Sequence, residues 1–333
     1  MTDGGGADTA AAGDGGTSPQ PPPPQTPPTP PPPPVDAAYA HRLKRRAAIA
    51  AVAVAATLIA AKAAAWIGSG SVAVLSTLVD SVLDLMASLL NLVAIRQAAV
   101  PADREHRFGH GKAEPIAGLG QAAFIGGSAA FLLFQAGERL LHPRPIENSA
   151  IGLAVMVFSI VLTLGLVAFQ KWVIRRVDSV AIDADSLHYT SDLLVNGGVI
   201  VALLLTAKLG WQQADAAVAA AIGLYILFSA AQIVRASLNL LMDHELPADD
   251  RARIREIVAA DPGVINMHDL RTRSSGTRSF IQLHLELDPE LPLREAHAIA
   301  DRVMARIEVA FPNAEVLIHE DPYGIAERRA AFE

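Results

Sequence analysis

The chain has 333 residues, of which 51% are hydrophobic and 18% are charged, and its formal net charge is −7. Its mean hydropathy of +0.32 is high for a soluble protein and typical of a membrane protein with several spans. The sequence has no cysteine, which excludes disulfides and thiolate metal ligands. It also lacks a dense basic patch with interleaved aromatic residues, so no nucleic-acid partner is expected.

Residues 1–40 form a tail of low complexity. Twelve of the 22 prolines fall between positions 19 and 34. Such a segment cannot bury a core, so we expect it to be disordered and partly polyproline-like. It has no basic segment followed by an apolar one, which argues against a signal peptide. A solvated tail and a ligand for SH3-type domains are the alternatives for its role.

Six apolar runs within residues 41–244 predict a transmembrane domain of six helices. A helix needs roughly 20 apolar residues to cross the hydrocarbon core of a bilayer. The runs are 47–67, 72–99, 114–141, 151–173, 179–205 and 214–241.

Basic residues are distributed unequally around these runs. Twelve lie before the first run, between the second and third, between the fourth and fifth, and at the end of the sixth, against three in the other connections. Because basic residues favour the cytoplasmic side, we expect a multi-pass protein of the inner (plasma) membrane with both termini in the cytoplasm. Lys62 lies within the first run and is expected to extend toward the outer interface.

Residues 245–323 have the pattern of a small soluble domain. Helical spacing and strand-like alternation of apolar residues predict helices at 251–260 and 293–311 and strands at 264–272, 279–286 and 315–319. The order α-β-β-α-β gives a cytoplasmic α+β domain with a modest core, which dimerisation would stabilise. The predicted fold class is a membrane all-α six-helix domain followed by this domain and by a tail at 324–333.

Two of the predicted membrane helices carry pairs of ionisable side chains. Asp80 and Asp84 lie four residues apart in the second run, and His188 and Asp192 lie four apart in the fifth. An i, i+4 pair projects from one face of a helix, and such groups are costly inside a bilayer. Converging all four on one divalent cation removes that cost. Three carboxylates and one imidazole suit tetrahedral Zn²⁺ and tolerate Cd²⁺, Co²⁺, Mn²⁺ or Fe²⁺, whereas hydrogen bonding between helices is the alternative.

Four segments, taken together, resemble a known family. LVDSVLDL, FGHGKAEP, DADSLHYTSD and HDLRTRSSG are similar to the cation diffusion facilitator family, close to its bacterial zinc and ferrous-iron efflux type, over residues 44–323. The resemblance implies a homodimer of six-helix protomers that exchanges a divalent metal for protons. It implies a transport site at Asp80, Asp84, His188 and Asp192. The proline-rich start of the chain departs from the family pattern, and its role stays open.

The connection between the second and third runs contains an acid and two histidines within a stretch of eight residues. Asp103, His106 and His110 offer ligands that suit zinc, and Glu105 is a further candidate. The resemblance implies a minor metal site at the first three of these residues. A flexible loop would hold a metal weakly, so a solvated interfacial loop is the alternative.

Four of the ten histidines lie in the predicted cytoplasmic domain. The residues alone establish only this enrichment, and scattered surface histidines are the alternative. The resemblance implies a binuclear zinc site at the dimer interface, with Asp321 bridging the two metals. Glu320 is adjacent in the sequence and could bind a metal or hydrogen-bond to a ligand. The implied site residues are His268, His284, His297, His319 and Asp321.

Two charged residues lie at the cytoplasmic ends of predicted spans. Lys112 precedes the third run and Asp243 follows the sixth. The resemblance implies an ion pair between them that ties the spans to the cytoplasmic domain. Two independent interfacial charges are the alternative.

These features together predict a divalent metal cation efflux transporter and not an enzyme. Zn²⁺ is the expected ion, both transported and bound for structure and regulation, with Cd²⁺, Fe²⁺ or Mn²⁺ as alternatives. An emptied cluster of like charges in a low dielectric should take up protons, which predicts metal/proton antiport by alternating access. Zinc in the cytoplasmic domain would act as a sensor. A passive divalent-cation channel and a non-transporting membrane metal sensor are the competing functions.

An intramembrane metalloprotease is a further competitor, because such enzymes also place His and Asp in membrane helices. It would need an H-E-x-x-H helix and an open zinc position. The only His-Glu pair at a predicted span end, His244-Glu245, runs directly into Pro247. The sequence therefore disfavours this reaction.

Overall fold

The computed structural model describes residues 36–69, 72–141, 150–209 and 213–325. Within these ranges the chain forms eight helices and three strands. The predicted tail up to residue 35 and the chain after residue 325 lie outside the described residues. The first six helices are α1 Ala37–Ser69, α2 Val72–Ala98, α3 Ala113–Leu141, α4 Ala150–Ile174, α5 Val180–Leu209 and α6 Ala214–Leu241.

Five of these six helices are long and apolar enough to cross a bilayer, namely α1, α2, α3, α4 and α6. Helix α5 has 30 residues, but its first half carries Asp183, Asp185, His188 and Asp192, which make it more polar. Five described helices therefore meet the requirement for a span, and the crossing by α5 stays a prediction.

Helix α1 begins ten residues before the apolar run that predicts it. The Ala38 N–H donates to Asp36 Oδ1 at 3.0 Å, which stabilises the first turn, so residues 37–40 are helical although they belong to the predicted disordered tail. Further along, Lys44 Nζ lies 2.8 Å from Glu114 Oε1, with side chains 1% and 4% exposed. A lysine counted above among the interfacial basic residues is therefore a buried ion-pair partner that joins α1 to α3.

Small residues allow α3 and α6 to pack closely. Ile125 of α3 lies in one buried cluster with Ile226 and Ala230 of α6. A Cβ at Gly223 would lie 2.9 Å from the side chain of Leu133, so glycine permits this approach of the two helices. Many large apolar side chains on the outer faces of the bundle stay exposed, as expected for helices that contact lipid.

The C-terminal domain is a three-stranded sheet with two helices on one face. The elements are α7 Ala248–Ala259, β1 Asn266–Ser275, β2 Arg278–Leu287, α8 Leu293–Ala310 and β3 Ala314–Pro322. Strand β2 is central, pairing antiparallel with β1 and parallel with β3. Alternate residues of β2, from Ile281 to Leu287, are buried against α7 and α8. The predicted α+β order is confirmed, and the strands extend beyond the apolar alternation because backbone pairing continues through their polar ends.

A carboxylate fixes the turn after α7 against α8. Asp261 accepts a hydrogen bond from the Gly263 N–H at 3.0 Å, and Arg302 Nη2 and Arg306 Nη1 lie 3.2 Å and 3.4 Å from its oxygens. Burial raises the pKa of Asp261, but the hydrogen bonds from Arg302 and the Gly263 N–H outweigh it and hold the pKa below its ordinary value. Charge pairing thus adds to the apolar contact between the two helices.

The loop between α2 and α3 docks on the hairpin turn between β1 and β2. Arg273 lies over Phe108 of the loop and Phe280 of β2, 4.7 Å and 4.3 Å from the ring centroids. The two phenyl rings meet edge to face at 5.5 Å. A Cβ at Gly111 would lie 2.7 Å from the carbonyl carbon of Ser275. The C-terminal domain is therefore joined to the bundle by aromatic, cationic and backbone contacts.

Replacing Gly111 with alanine should loosen this contact. The new methyl group would lie 2.7 Å from the Ser275 carbonyl carbon and 2.8 Å from Oγ, so the loop or the hairpin has to move. Overpacking of this kind costs about 1–3 kcal/mol. We expect a lower Tm of the purified protein in detergent and faster proteolysis between bundle and C-terminal domain. Gly120→Ala, at an exposed helical position in open space, is the control, and equal Tm values for the two variants would contradict the docking.

Candidate metal centres

Helices α2 and α5 bring three potential ligands together inside the bundle. Asp84 of α2 and His188 and Asp192 of α5 each offer one ligand atom, and these atoms all lie within 4.8 Å of one another. His188 Nε2 is 3.0 Å from Asp84 Oδ1, with side chains 8% and 15% exposed. Two carboxylates and an imidazole, facing a cavity of about 460 Å³, form a donor set that suits Zn²⁺ and other divalent first-row metals.

Asp80, the fourth predicted transport-site residue, does not join this group. It lines the same cavity, but the residue is exposed and its carboxylate is not among the three ligands within 4.8 Å. It precedes Asp84 by four residues, about 6 Å along the axis of α2. The structure therefore brings together three of the four predicted residues.

A fully buried carboxylate anchors α5 one turn before His188. Asp185 is 0% exposed and accepts hydrogen bonds from Gln170 Nε2 at 2.6 Å, Gln121 Nε2 at 3.0 Å and Ser88 Oγ at 3.5 Å. These donors belong to α4, α3 and α2, so one side chain joins α5 to three other helices. The sequence analysis missed Asp185, although its spacing of three residues from His188 places it on the same helix face.

Lys62 lines the same cavity, and its extension toward the outer interface stays a prediction. Its Nζ donates to Ser81 Oγ at 2.6 Å and to the Thr77 carbonyl at 3.0 Å. Both partners belong to α2 and line the same cavity as the carboxylates. The ammonium therefore turns into the bundle instead of away from it.

The loop between α2 and α3 brings its acid and two histidines together. His106 Nδ1 lies 3.4 Å from Asp103 Oδ1, and His110 Nε2 lies 3.5 Å from Asp103 Oδ2. Their ligand atoms also fall within 4.8 Å of one another. Backbone N–H groups of His106 and Glu105 donate to Asp103 and hold its pKa below its ordinary value. Glu105 contributes here through its backbone, and its carboxylate is not part of the group.

An ion pair lies between the loop cluster and the C-terminal domain. Lys112 Nζ is 2.9 Å from Asp243 Oδ1, and Arg273 Nη1 is 3.3 Å from the same oxygen. Burial raises the pKa of Asp243, but the hydrogen bonds from Lys112 and Arg273 outweigh it and hold the pKa below its ordinary value. Asp243 has a φ of 56°, a conformation that Asp adopts more readily than most residues. One carboxylate therefore contacts both the bundle and the C-terminal domain.

The strands of the C-terminal domain place three histidines around one carboxylate. Asp321 of β3 is 4% exposed; its Oδ2 lies 2.7 Å from His284 Nδ1 and 3.4 Å from His268 Nε2. Its Oδ1 lies 3.0 Å from His319 Nε2. Strand register explains the meeting, because His284 is opposite His268 in β1 and beside His319 in β3. Imidazole nitrogens on both sides of a carboxylate form a donor set that fits zinc.

His297 is not brought into this cluster. It lies on α8 with its side chain 68% exposed, 3.5 Å from Glu320 Oε1 and 3.7 Å from Asp301 Oδ2. The inner face of α8 is occupied by Ile299 and other core residues, which leaves His297 on the outside. Within the protomer, ligand atoms of His268, His284 and Asp321 lie within 4.8 Å of one another. His319 adds a contact to Asp321, and Glu320 contacts His297.

Two family models match the chain, in the order of its two domains. The model described as the cation efflux transmembrane domain matches residues 48–242. The model described as the cytoplasmic domain of the cation efflux protein matches residues 246–323. The chain belongs to the cation efflux, or cation diffusion facilitator, family. It is therefore a multi-pass cation efflux transporter with a helical transmembrane domain and a cytoplasmic α+β domain.

Two cation-efflux pumps align over most of the chain, and a solved transporter domain aligns over about a quarter of it. The cation-efflux pump FieF of Shewanella oneidensis is 51% identical over 82% of this chain and 92% of its own length. FieF of Klebsiella pneumoniae is 47% identical over 88% of this chain and 98% of its own length. The solved metal-bound C-terminal domain of the CzcD transporter from Thermotoga maritima is 29% identical over 24% of this chain and 93% of its own, with a TM-score of 0.23.

Removing the Asp185 carboxylate should destabilise the transmembrane domain. Asp185→Ala would leave the buried amides of Gln121 and Gln170 without their acceptor, and a loss of this kind costs about 3 kcal/mol. We expect a clearly lower Tm in detergent. Asp183→Ala, an exposed acid two positions earlier in α5, is the matched control and should change the Tm little. Equal Tm values for both variants would show that Asp185 does not anchor the helices.

Proposed function

We propose that this cation efflux transporter exports divalent metal ions, Zn²⁺ first among them, in exchange for protons. The supporting observation is the cluster of Asp84, His188 and Asp192, whose ligand atoms lie within 4.8 Å of one another between two helices of the transmembrane domain. Ionisable groups inside such a domain are costly and mark ion pathways. The mixed oxygen and nitrogen donors also accept Fe²⁺, Cd²⁺ and Mn²⁺.

The proposed transport site uses all four predicted residues. Asp84, His188 and Asp192 form the core of the site, and Asp80 lines the same cavity one turn away. Small relative movements of α2 and α5 would bring Asp80 to the ion or withdraw it. A ligand cage of this kind favours a carrier over a channel, because a channel needs weaker and repeated sites.

Proton exchange follows from the charge left behind when the metal leaves. The emptied site holds three carboxylates and an imidazole in a low dielectric, where repulsion between like charges is strong. Protons entering from the opposite side neutralise that charge and allow the helices to return. We therefore propose alternating access, in which movement between α2 and α5 exposes the site to one side of the membrane at a time.

The proposed topology has six spans, with α5 as the sixth membrane-crossing helix. The polar residues of α5 support this assignment, because His188 and Asp185 are buried in the bundle rather than presented to lipid. The distribution of basic residues supports a location of both termini in the cytoplasm, at the inner membrane. We further propose a homodimer whose cytoplasmic domains bind zinc through His268, His284, His319 and Asp321, with His297 completing the binuclear site across the dimer interface.

Loss of a core ligand should abolish transport. In proteoliposomes with a pH gradient and a zinc-sensitive dye inside, Asp84→Ala and His188→Ala should each weaken metal affinity at least about 100-fold, since outer partners of metal ligands alone contribute 10–100-fold. The exposed Asp183→Ala variant is the control and should transport like the wild type. A His188→Ala protein that still couples proton flux to zinc would contradict the proposed site.

Loss of the central carboxylate of the cytoplasmic domain should remove zinc regulation and not the transport site. Asp321→Asn keeps the side-chain shape but removes the charge that faces three histidines. We expect less zinc bound per full-length chain and a flux that no longer responds to cytoplasmic zinc, with the flux at saturating zinc retained. Asp288→Asn, an exposed acid after β2, is the control. Unchanged zinc content and an unchanged zinc response of the Asp321 variant would refute the sensor.

A further inference from the structure

Lys62 of α1 lies in the cavity that holds the proposed transport ligands. Its ammonium donates to Ser81 Oγ at 2.6 Å and to the Thr77 carbonyl at 3.0 Å. Among the described residues that line this cavity, it is the only lysine or arginine. The carboxylates near enough to act on it electrostatically are those of Asp84, Asp192 and Asp80.

The formal charges in this cavity balance only when Lys62 is counted. The three carboxylates carry −3, a bound dication adds +2 and a neutral imidazole ligand adds nothing, so a charge of −1 remains. The ammonium of Lys62 brings the total to zero. Because net charge in a low dielectric is costly, the cavity is matched to a doubly charged ion, whereas a monovalent ion would leave −1.

Lys62 lies at the end of α1 that is remote from the cytoplasmic domain. The helix contacts that domain through His41, whose Nε2 is 3.3 Å from Thr277 Oγ1. Lys62 follows 21 residues later in the same helix, roughly 30 Å away at 1.5 Å per residue. The ammonium is therefore on the side toward which an ion exported from the cytoplasm would leave.

We propose that Lys62 is a positioning residue for transport, whose fixed positive charge neutralises the third carboxylate of the metal-loaded site and promotes release of the dication by repulsion. The inference rests on the proposed function, since it requires that this cavity carries the exported ion. Two opposite effects follow for an uncharged side chain at position 62. The dication binds more tightly because the repulsion is gone, and turnover slows because the loaded site carries −1 and holds its ion too firmly.

A purely structural role for Lys62 leads to a different result. Its two hydrogen bonds also tie α1 to α2, and their loss alone would weaken zinc binding or leave it unchanged. Glutamine keeps a hydrogen-bond donor without the charge, methionine removes both, and arginine keeps both. Lys208, an exposed lysine of α5 outside the cavity, allows the same lysine-to-methionine change as a matched control.

The test uses the full-length chain in proteoliposomes with Zn²⁺ as the only metal. Initial flux against Zn²⁺ concentration gives kcat and KM, and equilibrium binding gives Kd. Binding at the transport site is the difference between each variant and the same variant with Asp84→Ala added. For Lys62→Met and Lys62→Gln we expect KM, Kd and kcat all about tenfold lower. Lys62→Arg and Lys208→Met should stay within about twofold of the wild type.

The outcomes separate this inference from the proposed transport site. Unchanged or weaker Zn²⁺ binding in the neutral variants, whatever their kcat, would overturn the role of Lys62 and leave the transport site intact. The glutamine variant keeps a donor to α2, so it gives the same readout if the methionine variant does not fold. If Asp84→Ala alone changed neither flux nor the number of bound Zn²⁺ ions, the transport site itself would be wrong, and the role of Lys62 with it.

Discussion

Acidic side chains inside the helical bundle need compensation, and three of them receive it from helices other than their own. Glu114 of α3 is paired with Lys44 of α1, Asp84 of α2 contacts His188 of α5, and Asp185 is held by uncharged donors from three helices. A charge without such a partner would be costly in this environment. The contacts that make the acids tolerable are therefore the same contacts that determine how the helices pack.

One short loop carries several of the contacts between the bundle and the cytoplasmic domain, beside the contact of His41 with Thr277. That loop carries Asp103, His106 and His110, and it docks on the β1–β2 hairpin through Phe108 and Gly111. The ion pairs of Asp243 with Lys112 and Arg273 lie at the same junction. Since the loop also connects α2 to α3, a change in its conformation reaches both domains directly.

Local patterns in the sequence predicted the features that depend on one element. The i, i+4 spacing of His188 and Asp192 and the order of elements in the cytoplasmic domain are of this kind. Which acid of α2 reaches α5 depends on the relative height of two helices, so Asp84 could not be distinguished from Asp80. The partner of Lys62 and the outward position of His297 are likewise set by packing between elements, which no single stretch of residues encodes.

Asp321 contacts imidazoles that belong to all three strands of a small sheet. Its own strand β3 and the β1 strand of His268 are the two edges, and neither pairs with the other. Sliding β3 by one position would rotate Asp321 to the opposite surface of the sheet and break its contacts with His268 and His284 together, while His319 would move with it on the same strand. The alignment of the strands therefore determines the geometry of the ligands. Separation of an edge strand and dissociation of a bound ion are coupled equilibria in one thermodynamic cycle.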